Sequence, residues 1–286
     1  MAEVSQIGIF SQVLCEETID ILDKIISLEE SKKISYSLNP ELFQYIEKNR
    51  PQLAQFFQKT TLEEMKGDCI FSIGGDGTIL RIARVNPNIP ILSINKGRKG
   101  FMTEIEADEV ITSLPRFFQG KFRLEEHTKI AANIENEIQA SAINEILITS
   151  TDLLKPIDFK VLVDNEVISG SSADGIIIAT PIGSTGHNLS SGGSVMDPDL
   201  QGLIISWINP INLAIRPVIL NFSRNLEVIC TTRINPIKMV FDGQVSLEYT
   251  TPVKFSISLS QEKVQFYRLR HFTSRWRQHL HPEIRD

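Results

Sequence analysis

The run Cys69-Ile70-Phe71-Ser72-Ile73-Gly74-Gly75-Asp76-Gly77-Thr78-Ile79-Leu80 is where this sequence first offers chemistry. An apolar strand enters Gly-Gly-Asp-Gly-Thr, and a helical pattern follows from Thr78 to Val85. Such a turn presents backbone N–H groups and a helix N-terminus to phosphate oxygens, and glycines permit their close approach. Asp76 sits inside this anion-friendly loop, placed to orient a hydroxyl nucleophile or to help hold a metal ion. Its ordinary pKa of about 3.9 makes it a weak base, which favours aligning the hydroxyl and taking its proton late. An Asp-Gly turn, or an aspartate that only caps the helix, remains an alternative on spacing alone. The chain has neither G-x-x-x-x-G-K-[ST] nor G-x-G-x-x-G, so the two commonest nucleotide signatures do not account for the loop.

A second run, Asp174 to Gly193, carries an apolar strand into a loop dense in Gly, Ser and Thr. Its backbone donors and small hydroxyls suit a polar, planar ligand, although a plain surface loop has the same composition. Asn144-Glu145 pairs an amide with a carboxylate, a combination that meets an adenine edge and ribose hydroxyls or simply interrupts a strand.

The elements that must position these runs fall into two kinds. Up to about residue 122, strand-like and helix-like segments alternate. Ile7–Phe10 precedes a helical Glu16–Leu28, Lys33–Tyr36 reads as a short strand, and Asn39-Pro40 starts a helix with Asn as its cap. Such alternation implies a parallel sheet covered on both faces. From about Phe122 to Leu259 apolar runs are broken by turn signals, among them Asp164-Asn165, and imply a β-sandwich. Leu200–Ile208 fits either a helix or a buried strand. At the end, Phe266, Leu269, Phe272, Trp276 and Leu280 share a helix-like stripe, predicting an amphipathic C-terminal helix whose arginines face solvent.

Gly74–Thr78 resembles the signature of the NAD kinase family, which lipid and phosphofructo-type kinases share in weaker form. Further segments resemble the family in its order: Asn95-Lys96-Gly97-Arg98-Lys99-Gly100-Phe101, Asn144-Glu145, and Asp174 to Gly193. The resemblance implies an α/β fold: a Rossmann-like parallel-sheet domain over residues 1–122, an all-β sandwich over 123–261, and a C-terminal helix within 262–286 returning to the first. It implies transfer of the γ-phosphoryl of ATP to the 2′-hydroxyl of NAD's adenosine ribose, with magnesium carried by the nucleotide and no dedicated protein metal site.

By the same resemblance Asp76 is the catalytic group, and Gly74, Gly75, Gly77, Thr78 and Arg81 lie at the phosphates. Asp76, Gly77, Phe101, Asn144, Glu145, Asp174, Ile182, Thr185, Gly186, His187, Asn188, Leu189, Ser190 and Gln244 form the NAD-binding set. A homo-oligomer, dimer or tetramer, is implied. The chain departs from the family in having Ile182 where many members carry a hydroxyl, His187 where they carry Tyr, and Ile211 where they carry His. Two other readings stand beside this one: a lipid kinase of the same superfamily, and a catalytically weak NADP-binding regulator.

Composition sets the outer bounds. With 286 residues the chain is about twice the ~150 of a typical domain. A net charge of −6 argues against coating nucleic acid, so phosphate affinity must come from local donors. No apolar stretch is long enough to span a membrane and the N-terminus lacks signal-peptide character, which predicts a cytoplasmic protein. Cys15, Cys69 and Cys230 are too scattered for a disulfide framework or zinc cluster. His127 and His271 read as structural, and His279-x-His281 lacks metal-site spacing.

Overall fold

The computed structural model describes residues 4–97, 100–152, 155–232, 236–271 and 273. The chain forms two compact units, one holding residues up to Glu126 and again from Val264, the other His127–Lys263.

In the first unit the elements are β1 (Gln6–Phe10), α1 (Glu16–Ser27), β2 (Ser35–Leu38), α2 (Pro40–Asn49), α3 (Pro51–Ala54), β3 (Phe57–Lys59), β4 (Cys69–Gly74), α4 (Asp76–Val85), β5 (Ile91–Asn95), β6 (Ile105–Glu106) and α5 (Val110–Phe118). The sheet order is β3-β2-β1-β4-β5, and every pairing is parallel. Strands β1, β4 and β5 are buried almost throughout, as a sheet covered on both faces requires. On α1, Ile19, Leu22 and Ile25 are buried and Ile26 is half-buried, and Phe71 and Phe117 meet edge to face at 5.6 Å. Pro40 takes the first position of α2, but Asn39 does not cap it; its Oδ1 accepts the Ser11 N–H at 3.0 Å instead. The short strand lies at Ser35–Leu38, two residues later than expected, because Glu30–Lys33 closes a 3₁₀ turn. The chain leaves β1 for β2 and β3 on one side, and β4 for β5 on the other. The carboxyl ends of β1 and β4 therefore form the switch point where open α/β sheets bind ligands. Gly74 ends β4 there.

The second unit is built of β7 (Arg123–Ile134), β8 (Glu137–Ala142), β9 (Glu145–Ser150), β10 (Ile157–Val163), β11 (Glu166–Ala173), β12 (Gly175–Ala179), α6 (His187–Ser190), β13 (Gly202–Ile208), β14 (Val218–Asn221), β15 (Leu226–Thr231), β16 (Ile237–Phe241), β17 (Val245–Tyr249) and β18 (Val253–Arg268), whose last residues belong to the first unit. One sheet runs β14-β13-β12-β9-β16-β17, with each neighbour antiparallel. The other contains β11-β10-β15-β18, joined by β7 and β8. Period-two alternation assigns the faces: Ile176 and Ile178 enter the core between the sheets, where Phe159 meets Trp207 edge to face at 5.9 Å. Ile177 and Ala179 pack on the opposite face with Met196 and Ile204. Each fully buried Ile or Phe contributes about 1.5–3 kcal/mol. The ambiguous Leu200–Ile208 segment is strand β13, and Asp164-Asn165 is the expected hairpin turn, both residues at positive φ.

The end of the chain differs from expectation. Residues 262–268 belong to strand β18, in which Val264, Phe266 and Arg268 are buried at alternate positions. Phe266 therefore follows a period of two, and its pairing with Ile91 in β5 is parallel. Arg268 does not face solvent, being 2% exposed, and Arg270 is paired with Glu109. Phe272, Trp276 and Leu280 lie outside the described residues.

Candidate active site

In the first unit β4 delivers Gly74 and Gly75, and α4 begins at Asp76 with Gly75 as its N-cap. The glycines divide by purpose. A Cβ on Gly74 would collide with Thr78 Oγ1, so that glycine is required by packing. A Cβ on Gly75 or Gly77 would meet nothing within 4 Å, so neither glycine is needed to avoid a protein contact there. Neither carries a side chain that would stand between a phosphate and the positive end of α4.

Asp76 does not cap its own helix. Its carboxylate turns to the loop after β5, where Oδ2 accepts the Phe101 N–H and Oδ1 the Met102 N–H, each at 3.1 Å. Gly100 has no room for a Cβ, which would run into Asp76 Oδ1. Burial pushes the Asp76 carboxyl above its ordinary range, opposed by the two N–H groups and the Arg268 charge. Asp76 is thus a better proton acceptor than its residue type alone implies. Arg81 is exposed on α4, and its charge is felt by Glu41. Phe101 enters this cluster through its peptide.

In the second unit a different cluster forms around Asn144 and Glu145. Asp242, in the β16–β17 turn, accepts three consecutive N–H groups: Ile143 at 2.8 Å, Asn144 at 2.7 Å and Glu145 at 3.1 Å. Asp242 and Gly243 have φ of 51° and 67°, the left-handed pair that a two-residue hairpin turn demands. Gly183 packs so closely on the Asn144 backbone that no side chain fits. A Cβ on Gly186 would lie 2.8 Å from Glu145 Oε2. Burial, then the Asp242 charge, pushes the Glu145 carboxyl up to about 7, while the His187 peptide N–H opposes them. Two buried acceptors, Asn144 Oδ1 and Glu145 Oε2, find no hydrogen-bond partner among the described residues. Buried acceptors of this kind call for donors from a ligand or water.

The loop after β12 is organised from inside. Asn188 is fully buried; its Nδ2 donates to Ser184 O at 2.8 Å and Ser194 O at 3.1 Å, and its Oδ1 accepts the Ser206 hydroxyl at 2.6 Å. Asn188 therefore shapes the loop with its whole amide. Thr185 Oγ1 donates to Ile182 O, Ile182 and Leu189 are half-buried, and His187 and Ser190 are exposed on α6. Asp174 accepts from Asn209 Nδ2 at 2.8 Å, and the Gln244 N–H closes the β16 turn onto Phe241 O.

Sequence reasoning missed Met102, Asp242 and Arg268, and placed Gly100 only within the Asn95–Phe101 motif. Asp242-Gly243 carried a usable hairpin signal; nothing local pointed to Met102 or Arg268. Among the described residues no group of three or more His, Cys, Asp or Glu is arranged to hold a metal ion.

Comparison with known proteins identifies the family. Residues 13–122 match the ATP-NAD kinase N-terminal domain and 143–269 the ATP-NAD kinase C-terminal domain. The chain is 31% identical over 266 residues to the NAD kinase of Methanothermobacter thermautotrophicus, covering 92% of each protein. It is 37% identical over 213 residues to that of Thermococcus gammatolerans, covering 73% of this chain and 76% of the relative. It also aligns at 31% identity with a bifunctional NADP phosphatase/NAD kinase of Methanococcus maripaludis, covering 84% of this chain but 43% of that longer protein. Among solved structures, an NAD kinase from Archaeoglobus fulgidus in complex with ATP superposes with a TM-score of 0.75 at 25% identity, covering 96% of this chain and 97% of that one. Yeast NADH kinase complexed with NADH shares the fold with a TM-score of 0.84 at 17% identity, covering 98% of this chain and 88% of the other. With both family domains present in order and a full-length relative at this identity, the chain belongs to the NAD kinase family.

Proposed function

We propose that this protein transfers the γ-phosphoryl group of ATP to the 2′-hydroxyl of the adenosine ribose of NAD, giving NADP and ADP. The observation that carries the chemistry is the half-buried Asp76 carboxylate at the head of α4, gripped by the Phe101 and Met102 N–H groups. In the transfer the 2′-oxygen forms a bond to the γ-phosphorus while the bond from that phosphorus to the ADP oxygen breaks. Asp76 aligns the hydroxyl and takes its proton late, as a loose transition state allows. Gly74, Gly75, Gly77 and Thr78 lie at the phosphates, with Arg81 adding positive charge from α4.

Asn144 and Glu145 take the adenosine half of NAD, their unpaired acceptors suiting the adenine amino group and ribose hydroxyls. Asp174, Ile182, Thr185, Gly186, His187, Leu189, Ser190 and Gln244 complete the dinucleotide contacts, with Asn188 fixing the loop that carries several of them. A magnesium ion arriving with ATP screens the phosphate charge; both Asp76 oxygens already accept peptide N–H groups, so the residues fit a cation held chiefly by the nucleotide. In this reading residues 1–122 form the nucleotide-binding domain and 123–261 the dinucleotide-binding domain.

We place the enzyme in the cytoplasm as a homo-oligomer. Among the described residues no helix is long and apolar enough to cross a membrane. Ile211 and Leu213, 69% and 81% exposed, give the second unit apolar surface that a second copy would cover; sedimentation gives the copy number.

The test incubates the protein with NAD, ATP and magnesium and reads NADP with an NADP-specific dehydrogenase. NADP above a no-enzyme blank is expected, and its absence sinks the reading. Retained full activity in Asp76→Asn would remove Asp76 from the chemistry.

A further inference from the structure

Arg268, near the end of β18, is the one arginine of the C-terminal basic segment that the described residues show as fully enclosed, at 2% exposure. Burying a guanidinium is costly unless its charge and donors are met. Here its Nε donates to Glu125 Oε2 at 2.9 Å, its Nη1 stands 3.4 Å from Glu104 Oε2, and its plane lies 4.8 Å from the Phe266 ring centroid. Glu104, fully buried, uses its other oxygen to accept the Leu269 and Arg270 N–H groups at 2.8 and 2.6 Å. Those contacts leave further N–H groups of the guanidinium to be met. Arg268 also donates from Nη1 to the carbonyl of Met102 at 2.8 Å.

Met102 is the residue whose N–H holds Asp76 Oδ1. Its carbonyl also accepts the Ser93 hydroxyl at 3.1 Å, so one residue is pinned from β5 and from β18 while it grips the carboxylate. Thr103 ties the preceding turn by donating to Gly100 O at 2.9 Å, and Gly100 leaves no clearance around Asp76. The guanidinium thus acts on Asp76 by two routes, one mechanical through Met102 and one through its positive charge, which favours the ionised carboxylate.

We propose that Arg268 is a positioning residue for phosphoryl transfer, locking Met102 so that its N–H fixes the Asp76 carboxylate. The inference rests on Asp76 being the group that handles the acceptor hydroxyl. It gives a function to a residue lying 166 positions from Met102 in a segment that looked like solvent-facing surface charge.

Two variants separate the routes. Arg268→Lys keeps the charge and loses the planar fork; Arg268→Gln keeps a donor and loses the charge. The readouts are kcat and KM for NAD from pH 5 to 9, beside the wild type and Asp76→Asn. We expect plateau kcat to fall about five- to tenfold in both variants, with KM for NAD within about twofold, because the lost interaction orients the reacting group and does not bind substrate. The acid limb of kcat should move up by about half a pH unit or more in Arg268→Gln and stay in place in Arg268→Lys. Wild-type plateau kcat in both, or an unmoved acid limb in Arg268→Gln, overturns the proposal. Should Arg268→Gln not fold, Arg268→Lys decides alone: a lowered kcat at unchanged KM supports the proposal, and an unchanged kcat or a fall only through KM overturns it. An inactive wild type, or an active Asp76→Asn, removes the reading of Asp76 and the proposal with it. An active wild type, an inactive Asp76→Asn and indifferent Arg268 variants overturn the proposal alone.

Discussion

Asp76 in the first unit and Glu145 in the second are both carboxylates withdrawn from water, and they differ in what offsets that burial. Asp76 has a peptide N–H on each oxygen and a guanidinium charge nearby. Glu145 faces a second carboxylate, Asp242, and has an oxygen with no hydrogen-bond partner among the described residues. One site is held in a single geometry by groups that offset part of its burial; the other keeps its acceptor unsatisfied and holds its proton to a higher pH than an ordinary glutamate. A reacting group needs fixed geometry, whereas a recognition group gains from an acceptor that only the ligand satisfies. On the proposed function, the contrast suits the first cluster to chemistry and the second to recognition.

The largest effect expected from breaking this contrast is on turnover. Asp76→Asn keeps the volume but removes the proton acceptor, and one amide cannot accept from both Phe101 and Met102. A kcat lower by about 10²–10⁴ is expected, with calorimetric affinity for NAD changed far less. If affinity collapses and the residual turnover is normal, Asp76 belongs to recognition and the contrast fails.

Glu145→Gln should act in the opposite manner, raising stability while weakening NAD binding. In the folded protein Glu145 titrates near 7, above the ~4.3 of an unfolded chain. Below the unfolded value the group is protonated in both states and opposes nothing. As pH rises from there toward 7 the unfolded chain gives up the proton that the fold still holds, so stability falls across that window and levels off once the fold ionises the group beside Asp242. Glu145→Gln should therefore be more stable than the wild type by about 2–3 kcal/mol at pH 8, with the gap shrinking to about 1 kcal/mol or less near pH 5. Denaturant melts at the two pH values measure it. A gap independent of pH would show that Glu145 is not the buried acid described.

Asp242→Asn sharpens the same point at smaller amplitude. Removing the facing charge should lower the pH at which Glu145 titrates by roughly one unit, visible as a downward move of the inflection in KM for NAD. Leaving one of the N–H groups of Ile143, Asn144 or Glu145 poorly met should cost about 1–3 kcal/mol, read in the same melts. An inflection that stays near 7 would mean that burial alone sets it.

The two clusters were unequally legible in the sequence. Gly74–Thr78 announced itself because strand, turn and helix are contiguous, and the chemistry of the loop follows from that local order. Asn144-Glu145 was readable only as a polar pair. Its orphan acceptors depend on Asp242, about a hundred residues downstream, and on Gly183 packing against the backbone. Gly100 was visible only as part of the Asn95–Phe101 motif, and Met102 and Arg268 left no local trace, since each acts through a contact distant in the chain. The final strand was obscured by the same arginine. Val264, Phe266 and Arg268 alternate inward, but a charged residue at an inward position breaks the apolar count, and the remaining Phe266 and Leu269 mimic a helical step. The alternating α/β order and the β-rich middle survived because they rest on many apolar positions at once.

The smallest stability effect is expected at Gly75, and it tests the assignment of the loop most directly. Gly74→Ala must displace Thr78 and should destabilise the first unit by about 1–3 kcal/mol. Gly75→Ala introduces a methyl group into space that no protein atom occupies, at a φ of −98° that alanine tolerates. Its melt should stay within about 0.5 kcal/mol of the wild type. A phosphate drawn close to the backbone would nevertheless meet that methyl, so KM for ATP should rise severalfold while KM for NAD holds. A glycine that the fold does not need and ATP does would separate the loop's ligand duty from its structural one. Unchanged KM for ATP would move the phosphates away from Gly75 and leave Asp76 as the only part of the loop with a role in transfer.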